Sequence, residues 1–485
     1  MITGLLGLDI KNHSRIRTNW GLTILLLIAY SGSLIFLTFP KNLAIIFGLP
    51  LLVIIWFDKN TGIIIWFILS VLFNRFEIDL PGIPPLRPVH MILLMILGVW
   101  IIQYYREIPT AAAQFIRTRK NRFLLFLLGW ITLSILMGRI TGTTQFSLEY
   151  QFNAWLSVVL AISLSWLISN CFNKKLLKIV IWVNVILGIA LLASVLVSGL
   201  IIKIGILDWK THYYDFVKRN ELIIIYPLFF SIIFLSEQKR WGKIIFILAI
   251  FLSVILNVLV VLGGSRSHLL NLLTLGFLIL ISNLRRLFPF VLIVVSLAIV
   301  FSIGRIKPII EKETEYVIAS SGLVSGKGDR IALAQDAIRI IRKYPFWGTG
   351  ADYYQLYSNL YFFNEGTKSL YGVNSAHNTW LQIAVDNGIP AAAILAFFIA
   401  FVLKDAFKLY SSLQDKVFKK FVLLFLAGFC SIIITSPFGA TIWPVFTERQ
   451  YFEASLLAPY LISFWLSYGI ILGIEKLSLS HEGLR

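Results

Sequence analysis

Residues 242–262 read GKIIFILAIFLSVILNVLVVL, and residues 267–283 read SHLLNLLTLGFLILISN, with only Gly263-Gly264-Ser265-Arg266 between them. A helix needs about 20 apolar residues to cross the ~30 Å hydrocarbon core of a bilayer, with ~17 as a working minimum. Both runs meet that length. Their apolar residues are continuous rather than alternating, so the strands of a membrane barrel do not fit. The same pattern continues outward in both directions. Of the 485 residues, 58% are hydrophobic and 14% charged, against about 25% charged in a soluble domain. Fourteen apolar runs are found, or twelve if the short runs 42–57 and 61–73, joined by Asp58-Lys59-Asn60, form a re-entrant pair. In lipid every backbone polar group needs an internal partner, and helices supply it. The expected fold class is all-α: a polytopic transmembrane helical bundle of 12–14 spans with a large, partly helical extracytoplasmic loop.

Charge orients this bundle. The net charge of +19 does not indicate nucleic acid in such a chain. It reports topology and contact with anionic membrane lipids. With the N-terminus inside, Lys and Arg concentrate on the inner loops. Arg106, Arg117, Arg119, Lys120 and Arg122 fall in one, and Lys404, Lys408, Lys416, Lys419 and Lys420 in another. This is the positive-inside pattern. Both termini are expected in the cytoplasm, with 203–220, 263–267 and Gly304–His377 outside. Met1–Asn19 is polar and basic, and the run after it is long enough for a signal anchor, so no cleavable signal is expected. Cys171 and Cys430 lie in or at the end of apolar runs and suit neither a disulfide nor a zinc site.

Three parts follow from this layout. Residues 1–303 form an N-terminal transmembrane bundle of about eleven runs, 304–377 an extracytoplasmic loop, and 378–485 a three-helix membrane segment with a short cytoplasmic tail. Within the loop, Asp329 can cap a helix over 330–343 that stops before Pro345. Ile331, Ala334, Ile338 and Ile341 share one face of it at helical spacing, which predicts a helix lying on the membrane surface or on the bundle. Pro345-Phe346-Trp347-Gly348-Thr349-Gly350 reads as a turn. The aromatics Tyr353, Tyr354, Tyr357, Tyr361, Phe362 and Phe363 read as an interfacial belt or, more sharply, a sugar platform. Asp386-Asn387-Gly388-Ile389-Pro390 reads as a helix stop and restart, with Gly after one helix and Pro early in the next.

Few residues on the outer side can carry chemistry. There is no HExxH, CxxC, paired-carboxylate or phosphate-loop motif, so no metal site or cofactor is expected. His377 stands where the polar loop re-enters the membrane, with Asn374, Asn378 and Gln382 in local reach, and histidine titrates near neutral pH. Its bland reading is a solvated neighbour of a helix cap. Arg266 lies in a tight outer turn, Gly263-Gly264-Ser265-Arg266-Ser267, where Ser265 and the glycines also offer backbone N–H groups to an anion. Its bland reading is an arginine that snorkels to bulk lipid. Arg219, before the run at 221, doubles as a flanking anchor. Arg330 can pair with Asp329 or Asp336. His13, His90, His212, His268 and His481 read as structural or solvated. Arginine forks bind phosphate oxygens bidentately and keep their charge. Arginines and one histidine, facing outward, suit a reaction on a phosphate ester or diphosphate.

Taken as a set, Asp329-Arg330, Pro345-Phe346-Trp347-Gly348-Thr349-Gly350, Ala376-His377-Asn378, Leu381 and Gly388 resemble the signature of the O-antigen ligase and O-antigen polymerase superfamily. Ser265-Arg266-Ser267 is similar to the family's turn before the next helix, although Ser267 stands where the family often has glycine or alanine. The resemblance runs from about residue 210 to the end. It implies a metal-independent glycosyltransferase of the GT-C type in the bacterial cytoplasmic (inner) membrane. The donor would be a glycan on undecaprenyl diphosphate, and the acceptor a lipid A–core sugar or another glycan. His377 matches the catalytic histidine, Arg266 and Arg219 match diphosphate-binding arginines, and Arg330 matches the family's loop arginine. A ligase and a repeat-unit polymerase both fit, with a protein O-oligosaccharyltransferase as a third relative. A transporter of the lipid-linked glycan would call for internal repeats and charged or broken helices at mid-membrane. No repeat is found, and the polar residues cluster outside.

Overall fold

The computed structural model describes residues 55–56, 61–63, 78–80, 83–86, 88–105, 113, 116–142, 148–171, 180–183, 185, 189, 221–262, 270–276, 330–350, 361–364, 369–372, 376, 378–436 and 459–482. The protein is an all-α polytopic membrane protein. In chain order its helices are α1 (Pro88–Tyr104), α2 (Arg119–Ile140), α3 (Leu148–Cys171), α4 (Glu221–Phe234), α5 (Arg240–Leu262), α6 (Arg330–Lys343), α7 (Thr379–Ser412), α8 (Lys416–Thr435) and α9 (Pro459–Glu482). Two small antiparallel hairpins accompany them. One pairs β1 (Ile78–Leu80) with β2 (Ile83–Leu86), the other β3 (Tyr361–Asn364) with β4 (Ser369–Gly372). The second hairpin was not legible as strands, yet its aromatic content favours a pleated ribbon. Tyr361, Phe362 and Phe363 of the expected aromatic platform are β3 residues, with Phe362 opposite Tyr371.

Among the described residues four helices are long and apolar enough to cross a membrane: α2, α5 over Arg240–Val258, α7 and α8. The apolar runs 20–39 and 287–303 lie outside the described residues. The chain divides into two compact units, Met1–Ile116 with Asn170–Val183, and Arg117–Ser169 with Asn184–Arg485. In the first, α1 buries Leu93, Ile96, Val99 and Trp100. Gln103 Nε2 donates to the Trp56 carbonyl at 2.6 Å.

The second unit holds the segment 330–436. Lipid tails are as apolar as leucine, so helices in a bilayer are held by close packing and by hydrogen bonds rather than by exclusion of water. Both are present. Along α2, Phe126, Leu133 and Ile140 recur every seven residues and are exposed, the face such a helix turns to lipid. Its opposite face buries Leu124, Leu127, Ile131, Ser134 and Gly138. An aromatic seam joins α4 to α8, with Phe234 over Phe421 at 4.8 Å and Tyr226 beside Phe425 at 5.9 Å. It continues to α9, where Phe464 stacks on Phe429 at 4.4 Å, and to α7 through Phe398 against Tyr468 at 5.1 Å. Gly428 lets the Tyr226 ring reach the α8 backbone, since a Cβ there would collide with the phenol oxygen.

Charged groups close one end of this unit. Lys120, 3% exposed, bridges Glu475 of α9 at 2.6 Å and Asp405 of α7 at 3.2 Å. Beside it the Tyr468 hydroxyl donates to Asn121 at 2.6 Å. Lys420 pairs with Glu237 at 2.5 Å and donates to the Ile233 carbonyl at 3.2 Å. Lys120, expected in a loop, thus serves as a buried tie between three helices. Removing one member of a buried ion pair leaves an uncompensated charge. Because Asp405 and Glu475 keep 41% and 35% exposure, Lys120→Met is expected to lower stability by about 1 kcal/mol, read as a drop in the thermal unfolding midpoint of the purified protein. An unchanged midpoint would mean that the two carboxylates are held apart by other cations.

Candidate active site at the loop junction

The site is built on a helix that breaks. Within α7, Gly388 has φ 83° and ψ 166°, so Thr379–Asn387 and the following span are separate helices in series. A broken helix strands the carbonyls of its last turn and the N–H groups of the next. Asp386, Asn387 and Gly388 are buried, so these groups need partners in the protein. Those partners are in place. The Val385 carbonyl accepts from Thr349 N at 2.8 Å and from Thr349 Oγ1 at 3.1 Å. The Asp386 carbonyl accepts from Gly350 N at 2.9 Å, and the Asn387 carbonyl from Trp130 Nε1 at 2.9 Å. Ile389 N donates to the Pro345 carbonyl at 2.8 Å.

The Pro345–Gly350 turn is therefore the second half of the break. Gly348 (φ 69°) and Gly350 (φ 95°) give it the left-handed backbone it needs. A Cβ on Gly348 would strike the Asp386 backbone, and one on Gly388 would strike the Phe346 carbonyl. Two motifs that looked separate in the sequence are one interlocked piece. α2 braces it from the side: Trp130 stacks on Trp347 at 4.8 Å, and Ser134 Oγ donates to the Trp347 carbonyl at 2.5 Å. Trp130 and Ser134 lie about 17 and 23 Å along the axis from the start of α2 at 1.5 Å per residue. The turn packs beside the middle and the C-terminal part of a membrane-length helix.

α6 occupies the expected span, Arg330–Lys343, but the buried stripe is not the expected one. Leu333, Ala337 and Ile340 are buried with Ala376 and Val385, flanked by Ile341, Tyr344 and Leu381. Ile338, expected on the buried face, is exposed. The helix is rotated because it packs on the first segment of α7. Asp336 also turns inward, and Arg339 holds its Oδ1 through Nε at 2.9 Å and Nη2 at 2.8 Å. Among the described residues Asp336 Oδ2 has no hydrogen-bond partner. Among the described residues the ion-pair partner of Asp336 is Arg339, one turn further on. Arg330 opens α6, and its side chain lies outside the described residues.

At the other end of the Thr379–Asn387 helix the chain is pinned on both sides of position 377. Asn378 is the helix cap: its Oδ1 accepts from Trp380 N at 2.9 Å and Leu381 N at 3.1 Å. One residue before position 377, Ala376 N donates to Gln382 Oε1 at 3.0 Å. The Gln382 amide is itself held by the Asp386 carboxylate, with Nε2 at 3.0 and 3.1 Å from its two oxygens. Gln382 and Asp386 are buried. The Trp380 indole donates to Ser436 Oγ at the end of α8 at 2.8 Å. Five residues earlier on α8, Ser431 Oγ donates to Asn271 Oδ1 at 2.5 Å, and Asn271 stands five residues after Arg266. One end of α8 thus bonds to the helix that follows His377 and to the helical residues 270–276 that follow the arginine turn.

His377, Arg266, Arg219, Ser265 and Asn374 lie outside the described residues. Of the residues expected at the site, the structure places Asn378, as a cap, and the backbone of Arg330, as the first residue of α6. Trp130, Ser134 and Ser436 were not singled out from the sequence, where each is one polar or aromatic side chain in or beside an apolar run. Asp386 was read only as part of a helix stop. Among the described residues no three His, Cys, Asp or Glu side chains are grouped as metal ligands.

A broken helix, a turn docked on the break and a capped helix start belong to a polytopic helical membrane protein. Residues 248–396 match the family described as O-antigen ligase. The match supports the O-antigen ligase and polymerase superfamily, and takes in Arg266, Arg330 and His377. No curated protein matches the chain.

Proposed function

We propose that the protein transfers a glycan from undecaprenyl diphosphate to an acceptor hydroxyl on the outer side of the bacterial cytoplasmic membrane, in the manner of an O-antigen ligase. One observation carries the reading. The O-antigen ligase match ends just beyond the α7 break, and inside it position 377 is flanked by a helix cap at 378 and a side-chain anchor at 376. Such pinning is what a group that must meet a reacting atom requires.

The roles follow from the chemistry of the side chains. His377 takes the proton from the acceptor hydroxyl as it attacks the anomeric carbon. The bond from that carbon to the diphosphate oxygen breaks, and Arg266 and Arg219, with backbone donors near Ser265, take up the charge on the leaving diphosphate. Arg330 contributes a further cation, and Asn374 and Asn378 support the histidine. The reaction is written without a metal. The charge pattern puts the Lys120 and Lys420 end of the bundle in the cytoplasm and both termini with it.

Incubating the purified protein with lipid-linked oligosaccharide in the presence of a strong chelator tests this. A lipid A–core acceptor that gains the mass of the glycan supports the ligase. Growth of the glycan on its own lipid carrier instead makes the protein a repeat-unit polymerase of the same superfamily. No product with either acceptor overturns both. Arg266→Lys keeps the charge but loses the fork, and is expected to lower kcat/KM at least about tenfold, or ~1.4 kcal/mol. A wild-type rate at normal protein levels would return Arg266 to the role of a lipid-facing anchor.

A further inference from the structure

Three parts pack as one body in this fold. α6, the Pro345–Gly350 turn and the Thr379–Asn387 helix are joined by the backbone bonds of the break and by the buried cluster of Leu333, Ala337, Ile340, Ala376 and Val385. Call this body the cassette. The residue-377 junction belongs to its sequence, between Ala376 and Asn378. The arginine turn does not, since Gly263–Ser267 follows α5. For transfer, a base on the cassette and cations on the bundle must face the same glycosidic bond. Something has to set the position of one against the other.

Two indole hydrogen bonds do so at opposite ends of the Thr379–Asn387 helix. At its start, Trp380 Nε1 reaches Ser436 on α8 at 2.8 Å. At its end, Trp130 Nε1 on α2 reaches the Asn387 carbonyl at 2.9 Å. The contacts are about 10 Å apart along the helix axis, so together they fix both translation and tilt. Either one alone leaves a pivot. The α2 contact is reinforced by the Trp130–Trp347 stack and the Ser134 bond to the Trp347 carbonyl. Ser436 is buried, and its hydroxyl is oriented by its own bond to the Ile433 carbonyl at 2.6 Å. α8 also bonds through Ser431 to Asn271, in the helical residues after the arginine turn in sequence.

We infer that Trp130 and Ser436 are positioning residues for the transfer reaction: they clamp the cassette to the bundle and so set where the residue-377 junction meets the diphosphate-binding side. Neither lies in the segment 248–396 that matches the O-antigen ligase family. The inference rests on the proposed function for its kinetic consequence, and on the hydrogen bonds alone for its geometric one. A displacement of about 1 Å at a reacting group can cost on the order of 10²-fold in rate. Loss of one clamp therefore acts on kcat, with the donor-binding side left in place.

The test uses the full chain in lipid nanodiscs. Trp130→Phe keeps the ring stack and loses the N–H donor, and Ser436→Ala loses the acceptor. Each is expected to lower kcat about tenfold or more, with KM for the lipid-linked donor close to wild type and only the small drop in unfolding midpoint that one lost hydrogen bond brings. In a His377→Gln background, Trp130→Phe should add no further loss, because it acts through that junction. A second arm needs no activity. In a His377→Cys protein, the rate of labelling by a small charged thiol reagent should change several-fold when Trp130→Phe is added. An unchanged kcat in both clamp variants, a kcat loss that only tracks loss of folded protein, or an unchanged labelling rate would overturn the clamp. A wild-type rate in His377→Gln itself would instead overturn the proposed transfer mechanism, and the labelling arm would still decide the clamp.

Discussion

A His377→Gln protein is expected to lose glycan transfer by a factor of about 10²–10⁴, the usual contribution of a positioned general base. It should insert, fold and bind lipid-linked donor as the wild type does. An acceptor hydroxyl is a poor nucleophile near neutral pH, and imidazole is the side chain best matched to taking its proton there. Two features of the surroundings support this role for the position. The Asn378 cap and the Gln382–Asp386 pair fix the backbone on either side of it. Donor binding should instead weaken in Arg266→Ala. Initial rates with saturating acceptor, alongside a direct donor-binding measurement, separate the two. A His377→Gln protein that transfers at the wild-type rate would remove the base from the mechanism.

The second large effect is structural. Gly388→Ala puts a Cβ onto the Phe346 carbonyl at a backbone φ of 83° that L-residues rarely adopt. The break and the turn cannot both stay where they are. Separating them gives up the Thr349–Val385, Gly350–Asp386 and Ile389–Pro345 backbone bonds, each worth about 1 kcal/mol net and more if its buried groups go unsatisfied. A loss of roughly 3 kcal/mol or more is expected. It should appear as a lowered unfolding midpoint and as faster proteolysis in the loop. Gly129→Ala on α2 is the control, since a Cβ there meets nothing within 4 Å. Equal stability of the two variants would contradict the interlock.

Much of the framework was legible in the residues. Membrane class follows from hydropathy, because the bilayer admits only backbones that satisfy themselves. The limits of α6 follow from Asp329 and Pro345, and the interruption at Asp386–Pro390 from Gly and Pro, whose allowed φ values are local properties. Gln382 could be named as a neighbour of the junction because it lies one turn into the helix. The hairpin of β3 and β4 was missed for the opposite reason. Its strands are four residues each, too short to show an alternation.

By itself, then, the sequence determined what is set by a residue and its near neighbours: an all-α membrane chain, a helix over 330–343, a helix break at Gly388 and a histidine beside the start of the next helix. Tertiary structure decided which of two helically spaced stripes on α6 is buried, since Ile331-Ala334-Ile338-Ile341 and Leu333-Ala337-Ile340 satisfy the same period. It also decided that the Pro345–Gly350 turn supplies the donors for the α7 break. And it brought Trp130 to Asn387 across 257 residues of sequence, and Ser134 to Trp347 across 213. The physical reason is that an unsatisfied carbonyl in a broken membrane helix must be met by some donor, but nothing local says which. That choice is made only when distant helices pack.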